Sequence, residues 1–166
     1  MGKTVALLGY GDVGKNVAMR MLASGMKVVA YDPYVISDNQ ISAVEHEKWP
    51  KRIDEADFIV ITCSLTESSR HMINEKLLKK VKSGVRIVNV GRGPIIDETA
   101  LESALISEKV YSAALDVFEI EPLPINSYLR SHSRCVLGSH NASNTSDAVL
   151  RTSQIAIDKI MEFLND

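Results

Sequence analysis

The sequence predicts an α/β fold, a doubly wound parallel sheet of Rossmann type, in a single domain spanning residues 1–166. Three observations carry that expectation. Short apolar runs alternate with stretches of helical period, a glycine-rich turn follows the first run at once, and ionisable residues stand just past the ends of several runs. Alternation of this kind makes a parallel sheet covered on both faces and joined by right-handed crossovers.

Thr4–Leu8 reads as a buried strand. Val13–Ala23 has helical spacing through Val13, Val17, Met21 and Leu22. Lys27–Tyr31 is a second strand with β-branched residues. Gln40–Glu47 is expected to be a short helix. Phe58–Thr62 is a strand, and Glu75–Val81 is a helix closed by Gly84. Val85–Val90 is a strand. Asp97 then caps a helix to about Ser107, with Glu98 and Glu102 in early turns, where the helix dipole favours acids. Val110–Leu115 and Arg134–Leu137 are further strands. Thr145 or Ser146 starts a last helix to about Phe163. Pro122 and Pro124 mark Glu119–Asn126 as a loop.

Composition narrows the function. At 45% hydrophobic and 24% charged, the chain is ordinary globular protein, long enough to bury a core without staples. Its net charge of −2 argues against a nucleic-acid binder. Lys79, Lys80 and Lys82 read as a solvated helix end. No run approaches the roughly 20 apolar residues of a membrane span. With no leader visible, the expected location is cytoplasmic, and the sequons at Asn141 and Asn144 read as chance. Cys63 and Cys135 match no metal-ligand spacing, so no metal is expected; Cys63 reads as a buried structural thiol.

Gly9-Tyr10-Gly11-Asp12-Val13-Gly14 is a G-x-G-x-x-G between a strand and a helix, the context that motif requires. Gly9 allows the tight turn, Gly11 lets backbone approach a pyrophosphate, and Gly14 lets the helix pack on the strand. The diphosphate would sit on the N–H groups of Asp12 and Val13. Asp32 ends the second strand. A carboxylate there accepts hydrogen bonds from the ribose hydroxyls and repels a 2′-phosphate, favouring NAD over NADP. The Asp32-Pro33 pair also fits a plain strand-end turn.

Arg92 lies between Gly91 and Gly93, just past a strand. Its guanidinium could grip a carboxylate in two-pronged fashion, or it is a solvated turn arginine; the residues alone leave both open. Asp116 and Glu121 follow the next strand. His140 follows the last one and could move a proton near pH 7, oriented by a neighbouring carboxylate, or be a loop histidine. His46, His71 and His132 read as surface residues.

Gly9–Gly14 with Tyr31-Asp32-Pro33, Asn89–Gly93, Asp97-Glu98 with Ala100-Leu101, Ala114–Glu119 with Glu121-Pro122, and His140 with Thr145 resemble, in order and spacing, the D-isomer-specific 2-hydroxyacid dehydrogenases. The resemblance covers nearly the whole chain. It implies that Arg92 binds the substrate carboxylate, His140 is the proton donor, Glu121 supports it, and Asp116 faces the nicotinamide carboxamide. It also implies a small 2-hydroxy or 2-keto acid as substrate and a homodimer. Ser139, Ser143 and Ser64 depart from the family pattern at loop positions and remove no catalytic group.

The family's substrate domain is built mostly from about a hundred residues before the glycine loop, which here begins at Gly9. The expectation is therefore an NAD-binding domain carrying the catalytic residues, with the opposite wall of the cleft absent and little turnover by this chain alone. The alternative is a free-standing NAD-responsive binding or regulatory module.

Overall fold

The computed structural model describes residues 2–34 and 41–165. Among them, seven strands form one all-parallel sheet: β1 (Thr4–Leu8), β2 (Lys27–Tyr31), β3 (Val44–His46), β4 (Phe58–Ile61), β5 (Val85–Asn89), β6 (Val110–Leu115) and β7 (Cys135–Leu137). They lie in the order β3-β2-β1-β4-β5-β6-β7. The strand order reverses between β1 and β4, the switch point where open α/β sheets bind ligands.

Residues of opposite parity fill the two faces. Val5 and Leu7 pack with Val28, Ala30 and Ala18 of helix α1 (Asp12–Ala23). Ala6 and Leu8 face the larger core, where Ile59, Ile61 and Ile87 meet Leu77 of α2 (Glu75–Leu78) and Leu101 and Leu105 of α3 (Glu98–Ile106). Each of these large aliphatic side chains contributes roughly 1.5–3 kcal/mol by leaving water. Helix α1 lies on one face and α2 and α3 on the other, so the sheet is doubly wound as expected. Asp97 caps α3, its Oδ1 accepting the Ala100 N–H at 3.0 Å, worth about 1 kcal/mol.

Register aligns the carboxyl ends. Leu8 pairs with Tyr31 and with Ile61, Ile61 with Asn89, Asn89 with Leu115, and Leu115 with Leu137. Loops leaving this row converge on one edge. At the opposite edge the buried carboxylate of Asp57 accepts the Thr4 N–H and pairs with Lys3 and Lys82.

Three expectations are corrected. The helix over Gln40–Glu47 is instead strand β3 from Val44, with Gln40 outside the described residues. Val44 is buried and pairs with Val28, so edge pairing to β2 outweighs helical spacing in so short a run. Helix α2 ends at Leu78, sooner than Val81. His46 is not a surface residue: it lies on β3, half-buried edge-on against Tyr10, and burial pulls its imidazole towards the neutral form. Helix α4 (Ser146–Asn165) forms where expected, yet none of its described residues is buried, and Leu150 and Phe163 face solvent.

Candidate functional site

The glycine turn opens the site. Gly9 has a φ of +93°, and a Cβ there would sit 2.7 Å from the Cys63 backbone, so only glycine fits. A Cβ at Gly14 would sit 2.2 Å from the Gly9 carbonyl oxygen, which is how closely α1 packs on the turn. Gly11 is different: a Cβ there would meet nothing within 4 Å. It faces open space and, as N-cap of α1, offers no side chain to its N–H groups. The first N–H groups of α1, with Asp12 and Val13 exposed, have no acceptor within the helix.

Asp32 holds this turn in place. Its Oδ2 accepts the Tyr10 N–H at 2.7 Å and its Oδ1 accepts the Tyr34 N–H at 2.8 Å. The strand-end turn is therefore real. A carboxylate with two amides still has lone pairs to offer a hydroxyl.

The loop after β5 is shaped by Asn89, which is fully buried. Its Oδ1 accepts the Gly91 N–H and its Nδ2 donates to the Arg92 carbonyl, each at 3.0 Å. Both neighbours of Arg92 must be glycine for steric reasons. A Cβ at Gly91 would lie 2.7 Å from the Cys63 carbonyl oxygen, and one at Gly93 would lie 1.8 Å from that of Phe118. The Arg92 side chain is exposed, with one N–H on the Gly91 carbonyl at 2.7 Å.

His140 is fixed from two sides. Its backbone N–H donates to the Asp116 carbonyl at 2.7 Å, and its φ of +58° is left-handed, an uncommon conformation that surroundings must enforce. Asp116 does much of that: its two carboxylate oxygens accept the Asn141 and Ala142 N–H groups at 3.2 and 3.0 Å. On the ring side, Nδ1 lies 2.7 Å from Glu121 Oε2. Glu121 Oε1 accepts the Phe118 N–H at 3.0 Å. The hydrogen bond from His140, then that from Phe118, hold the Glu121 carboxyl below its ordinary value, with Arg92 near enough to assist. A cleft of about 270 Å³ lies alongside, lined by Phe118, Glu121, Leu123, Arg130, Ser139 and His140.

Comparison with known proteins identifies the family. The family model described as D-isomer specific 2-hydroxyacid dehydrogenase, NAD binding domain, matches residues 1–142. The chain belongs to that family.

This dehydrogenase NAD-binding domain is 42% identical over 166 residues to a hydroxypyruvate reductase of Thermotoga maritima, covering 99% of this chain and 54% of that protein. Among solved structures it resembles a glyoxylate reductase from Paecilomyes thermophila, with a TM-score of 0.87, 33% identity, and coverage of 96% of this chain and 48% of that one. It also resembles D-lactate dehydrogenase with NAD+ from Lactobacillus jensenii, with a TM-score of 0.88, 25% identity, and coverage of 98% and 53%. The domain thus spans about half the length of these relatives. Other matched structures were solved with NAD or with NADP.

The residues singled out in the sequence gather along one edge of the dehydrogenase domain: the glycine turn and Asp32 at the switch point, Arg92 beyond β5, and Asp116, Glu121 and His140 beyond β6 and β7. Sequence reasoning missed Asn89 as the shaper of the Arg92 loop. It also misplaced His71, which is half-buried with Nε2 2.5 Å from Glu119 Oε1. An isolated polar stretch carries no signal for a partner 48 residues away. Cys63 is half-buried rather than buried, and burial pushes its thiol up, away from the reactive thiolate. Among the described residues no group of three or more His, Cys, Asp or Glu side chains could hold a metal, and no helix is long and apolar enough to cross a membrane.

Proposed function

We propose that this chain is the cofactor-binding half of an enzyme that interconverts a D-2-hydroxy acid and its 2-keto acid with NAD(H). The carrying observation is the Glu121–His140 pair at 2.7 Å, on the sheet edge that also bears Arg92 and the glycine turn. Against an ionised carboxylate Nδ1 donates, which leaves His140 Nε2 as the proton-handling atom. Glu121 fixes the orientation of the ring through Nδ1. Arg92, exposed and tethered through its backbone, anchors the substrate carboxylate.

The site fits a dinucleotide: open space over Gly11 admits a pyrophosphate, and the free N–H groups of Asp12 and Val13 at the start of α1 receive it. Gly9 and Gly14 set the turn, and Asp32 takes the adenine ribose hydroxyls. A cofactor held there would supply or take the hydride through its nicotinamide ring. Asp116 orders the loop that carries His140 and has acceptor capacity left for the carboxamide. The reading includes NAD preferred over NADP, because Asp32 would repel a 2′-phosphate.

We further infer a homodimer and a cytoplasmic location; two free thiols suit a reducing compartment. Titration calorimetry with NADH and NADPH tests the cofactor arm. NADH should bind more tightly, and Asp32→Ala should lose roughly 1.5–3 kcal/mol and narrow the gap. Loss of NADH oxidation with 2-keto acids in His140→Ala tests the chemistry.

A further inference from the structure

We propose that His71 and Glu119 form a positioning pair that sets where the Glu121 carboxylate meets His140 relative to the Arg92 loop. The proposal rests on the functional reading above and gives a role to two residues outside it.

The geometry ties three loops at one point. His71 Nε2 meets Glu119 Oε1 at 2.5 Å. The other oxygen of Glu119 accepts the Glu98 N–H at 3.2 Å, and the Glu119 N–H returns a hydrogen bond to Glu98 Oε1. The backbone of His71 is equally committed: its N–H donates to the Pro94 carbonyl at 2.9 Å, and its carbonyl accepts from Asn74 Nδ2 at 2.9 Å. One residue thus touches the loop of Arg92 through Pro94 and the loop of Glu121 through Glu119. It does so at a φ of +48°, a conformation that a non-glycine residue keeps only when its surroundings impose it.

The link to the reacting pair is short. Glu119 follows Phe118, whose N–H holds Glu121 Oε1 and whose carbonyl is the surface on which Gly93 rests. A shift of the 118–119 peptide therefore moves Glu121 under His140 and releases Gly93, next to Arg92, together. The titratable and charged groups facing Glu121 are His140, Arg92 and Glu98; those facing Glu119 are His71 and Glu98. His71 and Glu119 touch no reacting atom in this scheme, so they act only through Glu121.

The test reads the Glu121 carboxyl midpoint by carbon NMR in the whole chain, without cofactor or substrate, so a failed keto-acid assay would leave its result standing. His71→Asn keeps a residue type that tolerates the left-handed backbone but is too short to reach Glu119. It should raise the Glu121 midpoint by about half a pH unit, a roughly three-fold gain in proton affinity. His71→Gln, whose amide reaches Glu119, should stay near wild type. Asp57→Asn, at the far edge of the sheet, should lower Tm and leave the Glu121 midpoint in place. An unmoved midpoint in His71→Asn overturns the proposal. So does His71→Gln behaving like His71→Asn, which would make the effect one of charge alone. Failure of His71→Asn to fold also overturns it, because the pair would then be a staple of the fold.

Discussion

Glu121 is held between two donors: His140 Nδ1 lies 2.7 Å from its Oε2, and the Phe118 N–H reaches its Oε1 at 3.0 Å. Both favour the carboxylate, and the His140 contact is the larger influence.

The first prediction follows from that order. Glu121 should titrate below its ordinary value of about 4.5 in the wild-type chain. The folded value is the depressed one, so the pair's contribution to stability is complete above that ordinary value and lost as pH falls through the folded one. His140→Ala removes the larger influence and should move the midpoint upward, leaving the weaker hold of Phe118. Carboxyl-carbon NMR across the acid range measures both. An unchanged midpoint in His140→Ala would mean the contact is not maintained in solution.

The second prediction separates two uses of glycine. Gly11→Ala puts its methyl into open space, so Tm should hardly change, while NADH binding weakens because the methyl occupies the approach to the backbone. Gly93→Ala puts its methyl 1.8 Å from the Phe118 carbonyl oxygen and must push the Arg92 and Glu121 loops apart. That overpacking should cost about 3 kcal/mol and lower Tm. Thermal melts paired with NADH titration distinguish them. A large Tm loss in Gly11→Ala would show that the turn is not open.

Much of this was legible in the sequence, for local reasons. The strand Thr4–Leu8, the glycine turn and the Asp97 cap depend on neighbours within a few residues, and each forms as expected. Strand β3 did not announce itself, because three residues at a sheet edge take their conformation from β2 rather than from their own spacing. The same limit hid the Glu119 partner of His71 and the two-amide grip of Asp116 on the His140 loop, which join residues 20 or more positions apart and exist only once the loops converge. Arg92 was ambiguous for a related reason: its surroundings come from Asn89, Cys63 and Phe118, and only the last two lie outside its own loop.

The third prediction concerns acid. Burial works against the Asp57 carboxylate, but Lys82, the Thr4 N–H and Lys3 together hold it well below the usual carboxylate range. Its stabilisation is therefore complete above about pH 4 and disappears as pH falls through the depressed value. Asp57→Asn should cost about 2 kcal/mol near neutrality, since charge-assisted hydrogen bonds are lost. The Tm gap between variant and wild type should be widest above about pH 4 and narrow steadily as pH falls below it. A gap that stays constant with pH would assign the loss to packing instead.

The last prediction concerns turnover. The chain spans about half the length of its relatives, and the groups proposed to react stand at an open edge: Arg92 and His140 are both exposed. Holding a keto acid in attack geometry can supply roughly 7–11 kcal/mol of barrier lowering, and a closed, water-free cleft strengthens every charge inside it. In the proposed scheme, one sheet edge with a guanidinium and an imidazole would provide the anchor and the proton but little confinement. The expected outcome is measurable NADH binding with turnover of 2-keto acids far below the 10 per second typical of enzymes. Absorbance of NADH with a panel of small 2-keto acids measures it. Residual activity should vanish in His140→Ala, which lacks the proposed proton donor. Arg92→Ala should chiefly raise the apparent KM, because it removes the proposed carboxylate anchor and leaves the Glu121–His140 pair in place. Turnover near ordinary enzyme values would mean that the chain completes its own cleft.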